Sequence, residues 1–565
     1  MRFMPEKPLR IPHLRPYEPG PDDPAIFHFN AERPKIVREV ADRVHAAHSG
    51  DHDSLEYALH ECAYHEAERL RRQRDEEARE SLSFWRGLMR RVARMSDDDK
   101  RRTLRNITGR MAEDVAGNFD PRVYKVSENV VPRLITAVMH PGSLPRGLVS
   151  PHEPIRDLLT TQGPFEKLKR LARKGALVYV PTHSSNLDSI VLGYALQIHG
   201  LPPAVYGAGK NLFTNPIISF FMHNLGAYRV DRRIKAQLYK EVLKTYSTVM
   251  IEQGYHSLFF PGGTRSRSGL IDPKLKLGLA GTAIEAFSRN AVNGVDRPVW
   301  FVPTTINYAL TLEAETLIAD HLRAEGKARY IIADDEFSRL DRWIAFFRKL
   351  TTLTSACILR FGEPIDPFGN DVDDEGRSLT PQGRAIDART YVSRRGQPTL
   401  DAARDRAYTQ DLGEVLTQRF RRETVIMSTQ LVAHVLFRRL VRATPGLDVF
   451  TRVRHRGDVS MARDELVREV GEARDGLVRL EEQGEVHVSP LIRREPAEHV
   501  VDRALSAFKG YHDHIAALDV GAEVTAEDPT LLLYYQNRMV AFAERVADEA
   551  NMKAASEIAR MGGAT

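Results

Sequence analysis

Between about residues 150 and 370, short β-branched runs alternate with helical stretches, and this alternation restricts the chain to few architectures. The runs fall at 176–180, 228–230, 256–260, 299–303 and 356–361, with helical patterns at 188–199, 235–253 and 277–289. Strands separated by helices pair most readily in parallel, and a parallel sheet needs helices over both faces. The expected fold class is α/β, a largely parallel sheet flanked by helices, with helical N-terminal and C-terminal domains. By composition, residues 1–32 form an irregular arm and 33–150 a helical N-terminal domain. Residues 151–370 form the sheet domain, 371–400 a polar linker and 401–565 a mainly helical C-terminal domain. Glu/Arg pairs at i,i+4 mark 54–95 as helical, and Ser96 followed by three aspartates makes an N-cap and acidic first turn.

Bulk properties narrow the functional class. With 81 basic and 76 acidic side chains, the net charge of +5 is too small to imply nucleic acid. Clustered, however, that excess suits an anionic ligand or a bilayer surface. Two cysteines, Cys62 and Cys357, exclude a disulfide framework and suit a reducing compartment. The proline-rich start is no secretory signal, and no run approaches the ~20 apolar residues of a spanning helix. His60 and His65 lie five positions apart, about 140° around a helix, so no metal is expected there.

Four segments carry chemistry. In VPTHSSNLDS, residues 180–189, His183 and Asp188 follow the apolar run 176–180. An imidazole with a carboxylate one short turn away is the minimum equipment of a general base. The second segment, Leu225 to Arg233, ends in Arg229, Arg232 and Arg233, which taken alone read as a solvated loop. The third, Phe259 to Gly269, holds Gly262, Gly263, Thr264, Arg265, Ser266 and Arg267, with Lys274 and Lys276 just beyond. Glycines permit close backbone approach and forked guanidiniums match phosphate, so this segment suits phosphate better than a plain surface turn. The fourth, Trp300 to Tyr308, reads as core and rim.

In this order the segments resemble the four sequence blocks of the glycerolipid acyltransferase superfamily, over roughly residues 170–370. His183 and Asp188 fit its His-x4-Asp block, and Gly226 through Arg232 its Gly-rich approach to an arginine. Phe260 through Arg267 fit its Phe-Pro-Glu-Gly-Thr-Arg-Ser-Arg block, and Val302-Pro303 its Val-Pro block. Phe361 to Ile365 is similar to the strand that closes the family's catalytic domain. Two positions depart: Gly262 stands where the family has glutamate, and Ser184 where many of its glycerol-3-phosphate enzymes have arginine. The stretch Leu533 to Arg538 resembles the Tyr-x-Asn segment of the large glycerol-3-phosphate acyltransferases, which favours that branch.

The resemblance implies acyl transfer from a thioester to the sn-1 hydroxyl of glycerol 3-phosphate. It implies His183 as base and Asp188 as its orienter. The acceptor would bind through Arg232, Gly263, Thr264, Arg265, Ser266, Arg267 and Lys276. The donor would be acyl-CoA or acyl-carrier protein, with no cofactor and no metal. Dihydroxyacetone phosphate and 1-acylglycerol 3-phosphate stay open as acceptors, and an inactive lipid-binding scaffold as another class. No G-x-S-x-G elbow is present, which argues against an acyl-serine intermediate. A greasy product implies a cytoplasmic protein, peripheral at the cytoplasmic membrane face, with Asn211–Met222 and Arg339–Leu350 as candidate contacts. Thr451–Ser489 has the outline of a winged helix, but it is nearly charge-balanced, so no nucleic-acid partner is expected.

Overall fold

A computed structural model describes residues 17–21, 23–73, 76–128, 159–209, 216–325, 356–509 and 512–548. Its centre is a seven-stranded sheet in the order β1-β7-β6-β2-β5-β3-β4. The strands are β1 Leu159–Gln162, β2 Ala176–Pro181, β3 Val205–Gly209, β4 Ala227–Val230, β5 Ser257–Leu258, β6 Val299–Tyr308 and β7 Cys357–Phe361. The five strands β6, β2, β5, β3 and β4 are parallel, while β7 runs antiparallel to β6 and carries β1 parallel to itself. The α/β class read from the alternation is thus the observed one, with β1 and β3 added. β3 reads Val-Tyr-Gly-Ala-Gly, and its glycines and alanine conceal it from a β-branched search.

All six residues of β2 and all ten of β6 are buried. Burial along the whole strand, which in β6 includes Thr304, Thr305 and Asn307, marks strands covered on both faces. Helices Asp188–Ile198, Gln237–Glu252 and Ala280–Val292 supply that cover between strands. β6 is the longest strand: its first half pairs with β2, and its second half reaches beyond β2 and pairs with β7. That overreach carries Tyr308 past the end of β2, to where the chain has just placed His183.

The N-terminal helices Phe29–Ser49, His52–Leu70, Glu76–Arg91 and Asp97–Val115 close the β4 edge. Ser96 caps the last of them by accepting from the Asp99 N–H at 3.2 Å, ahead of three aspartates, as its sequence predicts. Ile36, Val40, Leu55 and Leu104 share one apolar cluster with Tyr228, Val242 and Tyr246 of the sheet region. Covering an edge strand in this way removes a pairing surface.

The C-terminal helices also join the core of the sheet: Phe420, Leu431, Leu477 and Leu532 cluster with β2 and β6. Residues 371–400 form two short antiparallel strand pairs and a 3-10 turn, Ala388–Val392, and are fixed in place. The Trp300 indole donates to the Gly376 carbonyl at 2.9 Å, and Phe368 stacks on Tyr391 with centroids 4.6 Å apart. A free linker is therefore replaced by a packed excursion, held by aromatic contacts that its polar composition hides. In the segment 451–489, the helix Arg463–Glu482 buries Leu466, Val470 and Leu480, and Arg463 pairs with Asp502 at 2.5 Å. No helix among the described residues is long and apolar enough to cross a membrane. Arg339–Leu350 lies outside the described residues, as does part of Asn211–Met222.

Candidate active site

β2 ends at Pro181, and His183 follows it on the turn into the helix that begins with Asp188. Asp188 is fully buried, and four donors saturate its carboxylate. Oδ2 accepts from the Ser184 N–H at 2.6 Å and the Ser185 N–H at 2.9 Å, and faces His183 Nδ1 at 2.8 Å. Oδ1 accepts from the Tyr308 hydroxyl at 2.8 Å. Because a carboxylate only accepts, Nδ1 carries the proton and Nε2 is the basic nitrogen. Nε2 has no partner among the described residues, and the ring is braced by Phe260, stacked with centroids 4.1 Å apart. Burial and the neighbouring Asp188 carboxylate push the Tyr308 phenol well above its ordinary range, so it remains a donor.

The glycine-rich third segment hangs from this dyad. The Ser266 N–H donates to the His183 carbonyl at 2.7 Å, and the Ser266 hydroxyl to the Leu270 carbonyl at 2.9 Å. Both Ser266 donors hold the loop, which is a different task from the acceptor contact expected of it. Gly263 has φ +71°, and a Cβ there would stand 2.5 Å from Lys276 Cδ, so the lysine chain lies across its bare backbone. Glycine is needed on both counts. The Thr264 hydroxyl has no hydrogen bond among the described residues.

The cations of this region divide by partner. Arg265 donates to buried Glu313 at 3.1 Å, and Glu313 also receives the Ser185 hydroxyl at 2.8 Å and the Asn186 N–H at 3.0 Å. Arg265 is therefore tied to the wall that carries His183. Burial raises the Glu313 pKa, and the positive Arg265 opposes that rise. Arg267 is half exposed and turned toward Asp320 at 4.0 Å. In the second segment Arg229 faces Asp114 at 3.8 Å and Arg233 faces Asp231 at 2.8 Å. Arg232 and Lys276 meet no carboxylate among the described residues. Desolvation, and after it the positive charge of Arg265, press the Arg232 pKa down, although Arg232 and Lys276 are both exposed side chains.

Four further residues belong here that sequence reading assigned no role. Tyr308 looked like the end of a core strand, and Glu313 lies in no motif. Asp272 fills the space beside Gly262: a Cβ at 262 would stand 2.5 Å from its Oδ2. A side chain at 262 would require the Asp272 carboxylate to move, and that carboxylate stands beside Gly262 from ten positions downstream. Burial raises the Asp272 pKa, offset in part by Arg538, His183 and Lys276. Arg538 follows the helix Pro529–Gln536 and donates to the Ser184 hydroxyl at 3.2 Å. That helix clasps the third segment, since Asn537 donates to the Ser268 carbonyl at 2.8 Å. The Tyr-x-Asn likeness was a signal for the clasp.

A separate cavity of about 410 Å³ lies by the β1–β7 edge, lined by Gly163, Arg360, Arg419, Arg422, Glu423 and His487. Two of its three arginines are paired, Arg360 with Glu423 at 2.7 Å and Arg419 with Asp371, while Arg422 meets no carboxylate among the described residues, and none of the residues above lines it. No group of three or more potential metal-ligating side chains occurs among the described residues.

Residues 164–307 match the model of the Acyltransferase family. The glycerol-3-phosphate acyltransferase of Aeromonas hydrophila subsp. hydrophila is 32% identical over 202 residues, 35% of this chain and 23% of its own. That of Glaesserella parasuis is 34% identical over 203 residues, 35% and 23% of the two chains, and that of Pseudomonas paraeruginosa 33% over 172, 30% and 20%. The match thus spans less than a quarter of each relative. Among solved structures, the 1-acyl-sn-glycerophosphate acyltransferase of Thermotoga maritima aligns with 44% of this chain and 90% of its own. It has 16% identity and a TM-score of 0.23. The family resemblance carried by the four blocks is thereby borne out over this stretch.

Proposed function

We propose that the protein transfers a fatty acyl group from a thioester to the sn-1 hydroxyl of glycerol 3-phosphate, giving lysophosphatidate. The observation that carries this reading is the oriented His183, whose Nε2 has no partner among the described residues, with the third segment hydrogen-bonded to its carbonyl and laying Lys276 across Gly263. The similarity to glycerol-3-phosphate acyltransferases supports the acceptor.

In the reaction, His183 Nε2 removes the hydroxyl proton as the oxygen attacks the thioester carbonyl carbon. The tetrahedral species collapses, the C–S bond breaks, and the imidazolium returns its proton to the departing sulfur. The arrangement is that of a Ser-His-Asp triad in which the substrate supplies the alcohol. General-base help contributes roughly 10²–10⁴ in rate, and positioning of the acceptor supplies much of the rest. Arg232 and Lys276 hold the acceptor's phosphate, while Arg265, Gly263, Thr264 and Ser266 shape the loop around it. The donor is acyl-CoA or acyl-carrier protein, and the residues named need no cofactor. The protein works as a peripheral enzyme at the cytoplasmic membrane face, where its product partitions.

An acceptor panel with one labelled acyl-CoA and one acyl-carrier protein tests the reading. Glycerol 3-phosphate should be acylated at sn-1, with unphosphorylated glycerol at least 100-fold poorer in kcat/KM, on the order of two lost charge-assisted contacts. Preference for dihydroxyacetone phosphate or 1-acylglycerol 3-phosphate would move the assignment within the family. Absence of thiol release with every donor and acceptor would leave a lipid-binding scaffold.

A further inference from the structure

Arg538 is 7% exposed, yet among the described residues its guanidinium meets no carboxylate within 4.0 Å. Its one hydrogen bond goes to a neutral hydroxyl, Ser184 Oγ. A guanidinium carries five N–H donors in a planar fork, and buried arginines are ordinarily paired. Four donors are left over, in the wall that contains His183. Ser184 is the position where many glycerol-3-phosphate enzymes of the resembled family carry arginine, and here a serine receives an arginine from 354 positions downstream. Asp272 adds a nearby negative charge, too far for a hydrogen bond.

We propose that the C-terminal segment completes the acceptor subsite, with Arg538 as a bidentate ligand of the phosphate of glycerol 3-phosphate. It rests on the function proposed above. A phosphate monoester brings about −1.5 to −2 charges and several acceptor oxygens, which suits a fork with unused donors. A thioester oxyanion offers one transient oxygen and would leave most of that fork unmatched. Desolvation holds the Arg538 pKa below the ordinary arginine range, with Tyr534, Asp272 and Asp188 opposing it, and a bound dianion would relieve that desolvation. Asp272 is the nearby counter-charge within the protein.

The test is calorimetric binding to the full chain, with no acyl donor present, of glycerol 3-phosphate, inorganic phosphate and desulfo-CoA. Arg538→Gln should weaken glycerol 3-phosphate and phosphate at least tenfold and leave desulfo-CoA within threefold. Arg538→Lys, which keeps the charge and loses the fork, should fall between. An unchanged Kd for both phosphates with a reduced kcat would overturn the proposal in favour of an oxyanion contact. Loss of desulfo-CoA binding alone would overturn it in favour of the donor. Should the glutamine variant lose its folded circular dichroism, the lysine variant decides: a Kd within threefold of wild type overturns the proposal. If wild type binds phosphate but not glycerol 3-phosphate, the acceptor assignment fails, and the phosphate arm still tests Arg538.

Discussion

Asp188 and Arg538 are both buried charges beside His183, and the fold treats them in opposite ways. Asp188 receives two backbone N–H groups, a phenol and an imidazole, all between 2.6 and 2.9 Å. Arg538 has a single hydroxyl, and Arg232 and Lys276 have no carboxylate among the described residues. The base half is hydrogen-bonded within the protein, whereas these three cations find no carboxylate within 4.0 Å among the described residues. Arg232 and Lys276 are exposed, but Arg538 is buried, and a buried charge left short of partners is costly, so its persistence points to a partner that comes and goes. Orientation is built into β2 and β6; binding is left to loops and the C-terminal clasp.

The largest effect that could break this contrast is at Asp188. Asp188→Asn should keep the acceptor Kd and lower kcat on the order of 10³–10⁴, because the imidazole loses its tautomer. A loss below tenfold, measured by thiol release, would mean that the saturated carboxylate does not prepare the base. Next come the cations. Arg232→Gln should raise the acceptor KM by about 10–100-fold, roughly 1.4–2.7 kcal/mol of a charge-assisted contact. Arg267→Gln, half exposed and facing Asp320, should stay within threefold. Equal effects would place Arg267 in the subsite and break the division by partner. The smallest effect is at Tyr308: Tyr308→Phe removes one of four donors to Asp188, so kcat should fall about three- to tenfold, near 1 kcal/mol. No change would show three donors to be sufficient.

The same contrast governs what a sequence can disclose. β2, His183 and Asp188 lie within thirteen residues, and an apolar run ended by proline shows them directly. β6 was readable for its apolar content, but the reach that brings Tyr308 to Asp188 depends on how far β6 extends past β2. The cationic half depends on partners far along the chain, Arg265 on Glu313 and Ser184 on Arg538. No local pattern separates Arg232, which stays without a carboxylate, from Arg233, which folds onto Asp231. Gly262 shows the same limit: a missing carboxylate is visible in the motif, while its replacement by Asp272 becomes visible only in three dimensions.

One paired measurement bears most directly on a general base set beside a waiting anion site: kcat and the acceptor Kd of His183→Ala, on the same preparation. A kcat lower by ~10³-fold or more, with glycerol 3-phosphate bound within threefold of wild type, is the expected result. A kcat within tenfold of wild type would contradict the role of His183 as the base.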